Sequence, residues 1–326
     1  MATSGSYNYS LTAADILEMA LENLGIVAQG QAVSTTQSTM ALRRLNVVAK
    51  QYQGTADQAQ GMKVHTRQRI TLMLAKGQQT YLIGPASTDA NASTRIGRTT
   101  LSAAEAASQT TLSITSNTDT TTYPGETLTM TDADIIGIQL DSGAIQWTTI
   151  TGTPTTTADV VDSLTGAAAS GNYVYWYTSR AQRFPVIESA VLRESAYTTS
   201  PLNVYADARE YDLGVSDKYA DGTPTSLLVE PLRITTRVTL DTQPTDVTDQ
   251  IILTVLYPQE DYDATTDDIA FPQEWLRPLA WALSLELAPA FKVTWTDAME
   301  MNRKESLGIA RALNPENSII YFRPGA

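Results

Sequence analysis

The sequence predicts an α+β fold: a helical bundle, built from an N-terminal helical hairpin plus C-terminal helices, with antiparallel strands and an inserted all-β domain. Three observations predict it. Apolar residues recur at helical spacing near both ends of the chain. Between Arg98 and Arg180 there is no Lys or Arg, while eight acids occur: Glu105, Asp119, Glu126, Asp132, Asp134, Asp141, Asp159 and Asp162. That same interval holds short runs rich in Thr, Ile, Tyr and Trp, separated by turn residues.

The first helix is expected over residues 12–24. Thr12 and Asp15 have nearly the spacing of a capping box, Ala13, Ile16, Leu17, Ala20, Leu21 and Leu24 share one face, and Gly25 suits the stop. The second is expected over 35–53, with Ser34 and Gln37 at its start and Ala41, Leu45, Val48, Ala49 and Tyr52 as its stripe. Residues 67–84, RQRITLMLAKGQQTYLIG, change to a two-residue period and read as a hairpin. The acidic interval then gives TLSITS, ETLTMT, IIGIQL, IQWTTI and YVYWYTS. Turns at Pro124-Gly125, Asp141-Ser142-Gly143, Gly152-Thr153-Pro154 and Gly171-Asn172 divide them, as in a sandwich or small barrel. Residues 185–196 fit a helix or a strand, and 226–240 and 250–257 read as two joined strands.

FPQEWLRPLAWALSLELAPAF, residues 271–291, is the most apolar long stretch. Pro272 suits a first helical turn, Pro278 predicts a kink or a break, and Pro289 an end or bend. Leu279, Ala282, Leu283 and Glu286 share one side, while Trp281, Leu285 and Ala288 carry the apolar surface round. Such a helix needs neighbours on more than one face. A last helix is expected near 296–313, then an extended tail. The expected organisation is therefore 1–96 as the N-terminal part of a core, 97–179 as the inserted domain, 180–313 as the C-terminal part, and 314–326 as an arm.

Composition excludes several function classes. With 326 residues and 42% hydrophobic content, the chain can bury two ordinary domains. It has no cysteine, hence no disulfide, thiolate nucleophile or cysteine zinc site. The N-terminus MATSGSYNYS lacks a signal-peptide pattern. Glu274, Arg277 and Glu286 interrupt 271–291, so no membrane span is expected. A net charge of −13 disfavours a protein that grips phosphate backbones, though not a ring through which DNA passes.

Candidate chemistry is sparse. His65 is the only histidine and sits in the polar MKVHTRQR. EDYDATTDD, residues 260–268, carries five carboxylates but lacks the glycine and final glutamate of an EF-hand loop. Trp147, Tyr173, Tyr175, Trp176 and Tyr177 allow carbohydrate binding, although alternating aromatics more often pack on a core. No dinucleotide, P-loop, zincin or nucleophile-elbow motif occurs. No catalytic residue, metal or cofactor is expected.

The order of segments around the insert carries a resemblance: NVVAKQYQG, RITLMLAKGQQTYLIG, RFPVIESAVLR, SPLNVYADAREYDLGVSDKYADGTPTSLLVEP, then IILTVLYPQEDYDATTDDIAFPQEWLRPLAWALSLELAPAF. Glu210-Tyr211, Gly222-Thr223-Pro224, Tyr257-Pro258, and Pro272 through Ala288-Pro289 are its matching points. The chain resembles the head-to-tail adaptor (connector, or tail accessory) proteins of short-tailed bacteriophages over residues 10–96 and 180–313. The acidic insert departs from the smallest members. The resemblance implies a non-enzymatic virion protein at the head–tail junction, assembled in the host cytoplasm. It implies a homo-oligomeric ring of twelve subunits, bound to the portal protein above and a tail nozzle or tail-tube protein below, with DNA passing through. Trp275, Leu279, Trp281 and Leu285 would then pack within or between subunits, and Ile319, Ile320, Tyr321 and Phe322 would dock on the portal. The insert would project outward, toward tail fibres among other partners. Two alternatives stay open: a tail-tube or fibre-attachment ring further down the tail, and a virion protein that binds carbohydrate through the insert.

Overall fold

The computed structural model describes residues 9–28, 31–52, 67–123, 125–194, 198–217, 219–257 and 260–313. Its helices are α1 (Ala13–Asn23), α2 (Thr35–Tyr52), α3 (Ala208–Gly214), α4 (Gln273–Leu287) and α5 (Asp297–Leu313). Strand outweighs helix, 31% against 24%, which overturns the expected helical bundle with antiparallel strands and an inserted all-β domain: the fold is mostly β. The chain forms two compact units: Arg67–Tyr257, and Met1–Thr66 with Pro258–Ala326.

The second of these is helical. α1 opens with the capping box that the sequence suggested: Thr12 N–H donates to Asp15 Oδ2 at 2.8 Å and Asp15 N–H to Thr12 Oγ1 at 3.3 Å. The next free amides, Ala13 and Ala14, donate to the carbonyls of Asp267 and Thr265. Ser34 and Gln37 form the equivalent box before α2. α1, α2 and α5 all pack on α4. Ile16, Leu17, Leu21, Leu45, Val48, Leu279, Leu283 and Leu287 are buried in their shared core. Burying such side chains stabilises each by about 1.5–3 kcal/mol.

The other unit is β. Eight strands run in the order Thr80–Ile83, Thr236–Leu240, Ser226–Pro231, Thr199–Tyr205, Val186–Arg193, Gln250–Leu256, Arg67–Met73, Ala92–Ser93. Neighbours are antiparallel except Thr199–Tyr205 with Ser226–Pro231, whose parallel pairing is bridged by α3. Two expectations fail here. Arg67–Met73 and Thr80–Ile83 are not a hairpin; the first pairs with Gln250–Leu256 and the second with Thr236–Leu240. Nor do residues 226–240 and 250–257 pair with each other: the former folds into its own hairpin, and Gln250–Leu256 lies between Val186–Arg193 and Arg67–Met73. Local alternation marks a strand, but pairing is decided by distant partners.

The order also forces the sheet to roll. Six strand spacings of about 4.8 Å would separate Thr80–Ile83 from Arg67–Met73 by about 29 Å in a flat sheet, whereas the short connection between them spans at most about 24 Å. Ile70, Leu72, Tyr81, Ile83, Leu227, Val238, Ile251, Leu253 and Val255 accordingly share one interior.

Residues 97–177 supply a six-stranded antiparallel sheet in the order Gly97–Thr100, Tyr173–Tyr177, Ile135–Gln139, Ile145–Thr151, Thr157–Val160, Thr111–Ser113. Its two edge strands are joined by the Leu101–Ile114 bridge, by Thr115 N–H to Thr100 O and by Ser102 N–H to Ser113 O, both 2.9 Å. That closure makes a small barrel, and closure removes exposed edges. Leu112, Ile114, Ile136, Ile138, Ile150, Val174 and Trp176 fill it. Gly125, Gly143, Gly152 and Gly171, read from sequence as turn residues, all have positive φ.

Candidate functional site

The helix that the sequence singled out is α4. Pro272 is its N-cap and Glu274 lies in its first turn, where a carboxylate complements the helix dipole. Pro278 does not break it; the helix runs unbroken from Gln273 to Leu287. Only one amide, the one that would bond Glu274 O, is lost, and Pro278 is itself buried in the packed core. The turn that follows the helix, residues 288–293, closes in a Schellman motif. Val293 N–H donates to Ala288 O at 3.0 Å and Lys292 N–H to Pro289 O at 3.3 Å, with Lys292 at φ 56°. α1 ends in the same way with Gly25 at φ 68° and Ile26 N–H on Leu21 O.

The four candidate interface residues divide. Trp275 and Leu279 are 1% and 0% exposed, inside the helical core of their own chain. The Trp275 ring meets Tyr52 edge-on, centroids 5.5 Å apart. Burial raises the Tyr52 pKa, against the opposing charges of Arg303 and Arg311. Trp281 and Leu285 are half-buried, and Trp281 stands edge-on to Trp295 at 6.3 Å. Ser284, 0% exposed, donates to Ala20 O at 3.1 Å and Ala280 O at 2.8 Å and so ties α4 to α1. Ile319, Ile320, Tyr321, Phe322 and His65 lie outside the described residues.

Two of the five carboxylates in residues 260–268 have partners within the helical unit. Asp267 accepts from the amides of Asp263 and Ala264 at 2.8 and 2.9 Å, and Asp261 pairs with Lys50 at 2.9 Å. Asn46 brackets Tyr262, accepting its amide at 2.8 Å and donating to its carbonyl at 3.0 Å. Among the described residues, no group of three or more His, Cys, Asp or Glu is placed to hold a metal ion. The aromatic strand Tyr173–Tyr177 is used on both faces. Val174 and Trp176 point into the barrel core, whereas Tyr175 and Tyr177 join Met73 and Ile96. Only Tyr173 is half-buried there, with Arg98 over its ring at 5.2 Å. Tyr211, from the Glu210-Tyr211 motif, donates from its buried hydroxyl to Leu240 O at 2.7 Å.

No protein-family model and no curated protein matches the chain. Among the described residues, no helix is long and apolar enough to cross a membrane.

Sequence reasoning missed the outer faces of α5 and α2. Met301, Ile309 and Leu313 on α5 are 71%, 50% and 65% exposed, and Val47 on α2 is 50% exposed. The signal was present as spacings of four and eight residues in 301–313, but it is legible only once the opposite face, Ser306, Leu307 and Ala310, is known to be buried.

Proposed function

We propose that this chain is a structural virion protein, a head-to-tail adaptor that forms a ring between portal and tail through which DNA passes. The observation that carries the reading is the exposed apolar face of α5, on a helix whose inner face is already filled. A large apolar side chain exposed once is ordinary; three on one helix face mark a surface meant for a partner. Rotationally symmetric rings need such surfaces on every subunit. The ordered segments that resemble the adaptor family lend independent support, from NVVAKQYQG to the proline-bearing helix. The acidic balance of −13 suits a channel wall that DNA slides past without sticking. In this reading residues 314–326 dock on the portal, and the barrel projects toward tail fibres or neighbouring barrels.

The test is native mass spectrometry and electron microscopy of the chain alone and mixed with the portal ring of its virion. A twelve-fold layer on the portal is the expected result. A chain that stays monomeric and ignores the portal would overturn the adaptor role.

A further inference from the structure

On the ring reading just given, we propose which surfaces join neighbouring subunits: the outer ridge of α5 in one copy seats against the outward face of α2 in the next. Asp297, Met301, Glu305, Ile309 and Leu313 follow one another at intervals of four, and all five are exposed. They form a single ridge of the kind that packs into a groove on another helix. Its composition is three large apolar side chains and two acids. The ion pairs within α5 run from Glu300 to Arg303 and Lys304 and leave this ridge aside.

α2 offers the complement. Its sequence, TTQSTMALRRLNVVAKQY, holds three bases and no acid. Thr35, Thr39, Arg43, Val47 and Gln51 are exposed, again at intervals of four. An open groove flanks this row at each end. One is lined by Thr36, Met40, Arg43 and Arg44, the other by Asn46, Val47, Lys50 and Asp261. Met40 and Val47 give the groove apolar floor for Met301 and Ile309, while Arg43 stands where an acid such as Glu305 is welcome; Lys50 is already paired with Asp261. Two such four-residue ridges interdigitate at a crossing angle near about −50°.

The occupant is a second copy because both halves belong to every chain and neither covers the other within it: both rows are exposed. A contact between two different patches is head-to-tail, and repeated head-to-tail contacts close into a ring when the rotation allows.

The absence of cysteine gives a clean test. The double variant Val47→Cys with Ile309→Cys is oxidised alone and on the portal ring, beside each single variant. Covalent trimers and larger species from the double variant only are expected. Monomers alone, or dimers from a single variant, would overturn the contact. Wild-type rings seen by native mass spectrometry without a covalent ladder would leave the adaptor reading standing and remove this interface. No ring and no ladder would remove both. Glu305→Arg is expected to weaken assembly and added Arg43→Glu to restore it, a rescue that a merely structural defect would not show.

Discussion

Trp275 is 1% exposed, yet its indole Nε1 has no hydrogen-bond partner among the described residues. Burying an unpaired donor costs about 1–3 kcal/mol. Trp275→Phe removes that donor together with part of the ring, so a net loss within about 1 kcal/mol is expected. Trp275→Ala empties the site and should cost about 3–5 kcal/mol. Urea unfolding followed by circular dichroism separates the two; equal, large losses would show that the Nε1 is satisfied in solution. Lys292 presents the opposite case. It holds the left-handed position that Gly25 fills at the end of α1. Lys292→Gly is expected to raise stability by up to about 1 kcal/mol, because relief of the Cβ clash exceeds the added chain entropy. An unchanged or lower urea midpoint would contradict this. The two caps also show what is legible residue by residue. Gly25 announces a stop because glycine is the usual occupant, whereas a lysine announces nothing. Gly97 was silent too: a methyl group there would collide with the Trp176 ring, a contact made by a strand some eighty residues away.

At the scale of the element, caps and stripes were legible and partners were not. The boxes at Thr12–Asp15 and Ser34–Gln37 are local hydrogen bonds, so spacing alone discloses them. Val186–Arg193, with the sequence VIESAVLR, suits a helix as well as a strand, and only pairing on both edges makes it a strand. Its bulge between Ile187 and Ser189 sets Glu188 against Arg67, an ion pair that no local pattern foretells. The first turn of α5 carries a prediction of its own. Glu300 accepts from Arg303 Nε at 2.9 Å, Arg303 Nη2 at 2.8 Å and Trp295 Nε1 at 3.2 Å. Arg303 foremost holds the Glu300 pKa down at about 2, against a usual value of 4.5. A carboxylate whose folded pKa is depressed contributes stability above its unfolded value and loses it as pH falls through the folded one. The contribution is therefore complete above 4.5 and fades toward 2. The group is partly solvated, so the effect on global stability is small. Trp295 fluorescence should report it locally, changing across that window in the wild type and staying flat in Glu300→Gln. A window unchanged by the substitution would assign the transition to other carboxylates.

Across the whole molecule the chain is a nested insertion. Arg67 pairs with Leu256, so the β unit begins and ends on adjacent antiparallel strands. Gly97 pairs with Trp176, so the barrel within it does the same. The inner boundary lies beside a step in composition, the basic-free stretch between Arg98 and Arg180, and the sequence could be read there. The outer boundary has no such step. Arg67–Met73 follows the N-terminal helices and looks like their companion, which is why a helical core with strands attached was expected instead of two units. Adjacent termini make a physical prediction. An excised fragment of residues 67–257 keeps both buried β clusters, Ile70 to Val255 and Leu101 to Trp176, and cuts no strand pairing. Domains that start and end at neighbouring points tolerate excision well. The fragment is expected to fold alone, with a strand-rich circular dichroism spectrum, cooperative urea unfolding and an ordered aromatic signal from Trp147 and Trp176. A fragment that is disordered, or compact without fixed aromatic signals, would show that the rolled sheet needs the helices to complete it. In the full chain Gly97→Ala, which strikes the Trp176 ring, is expected to unfold the barrel without loss of helix signal.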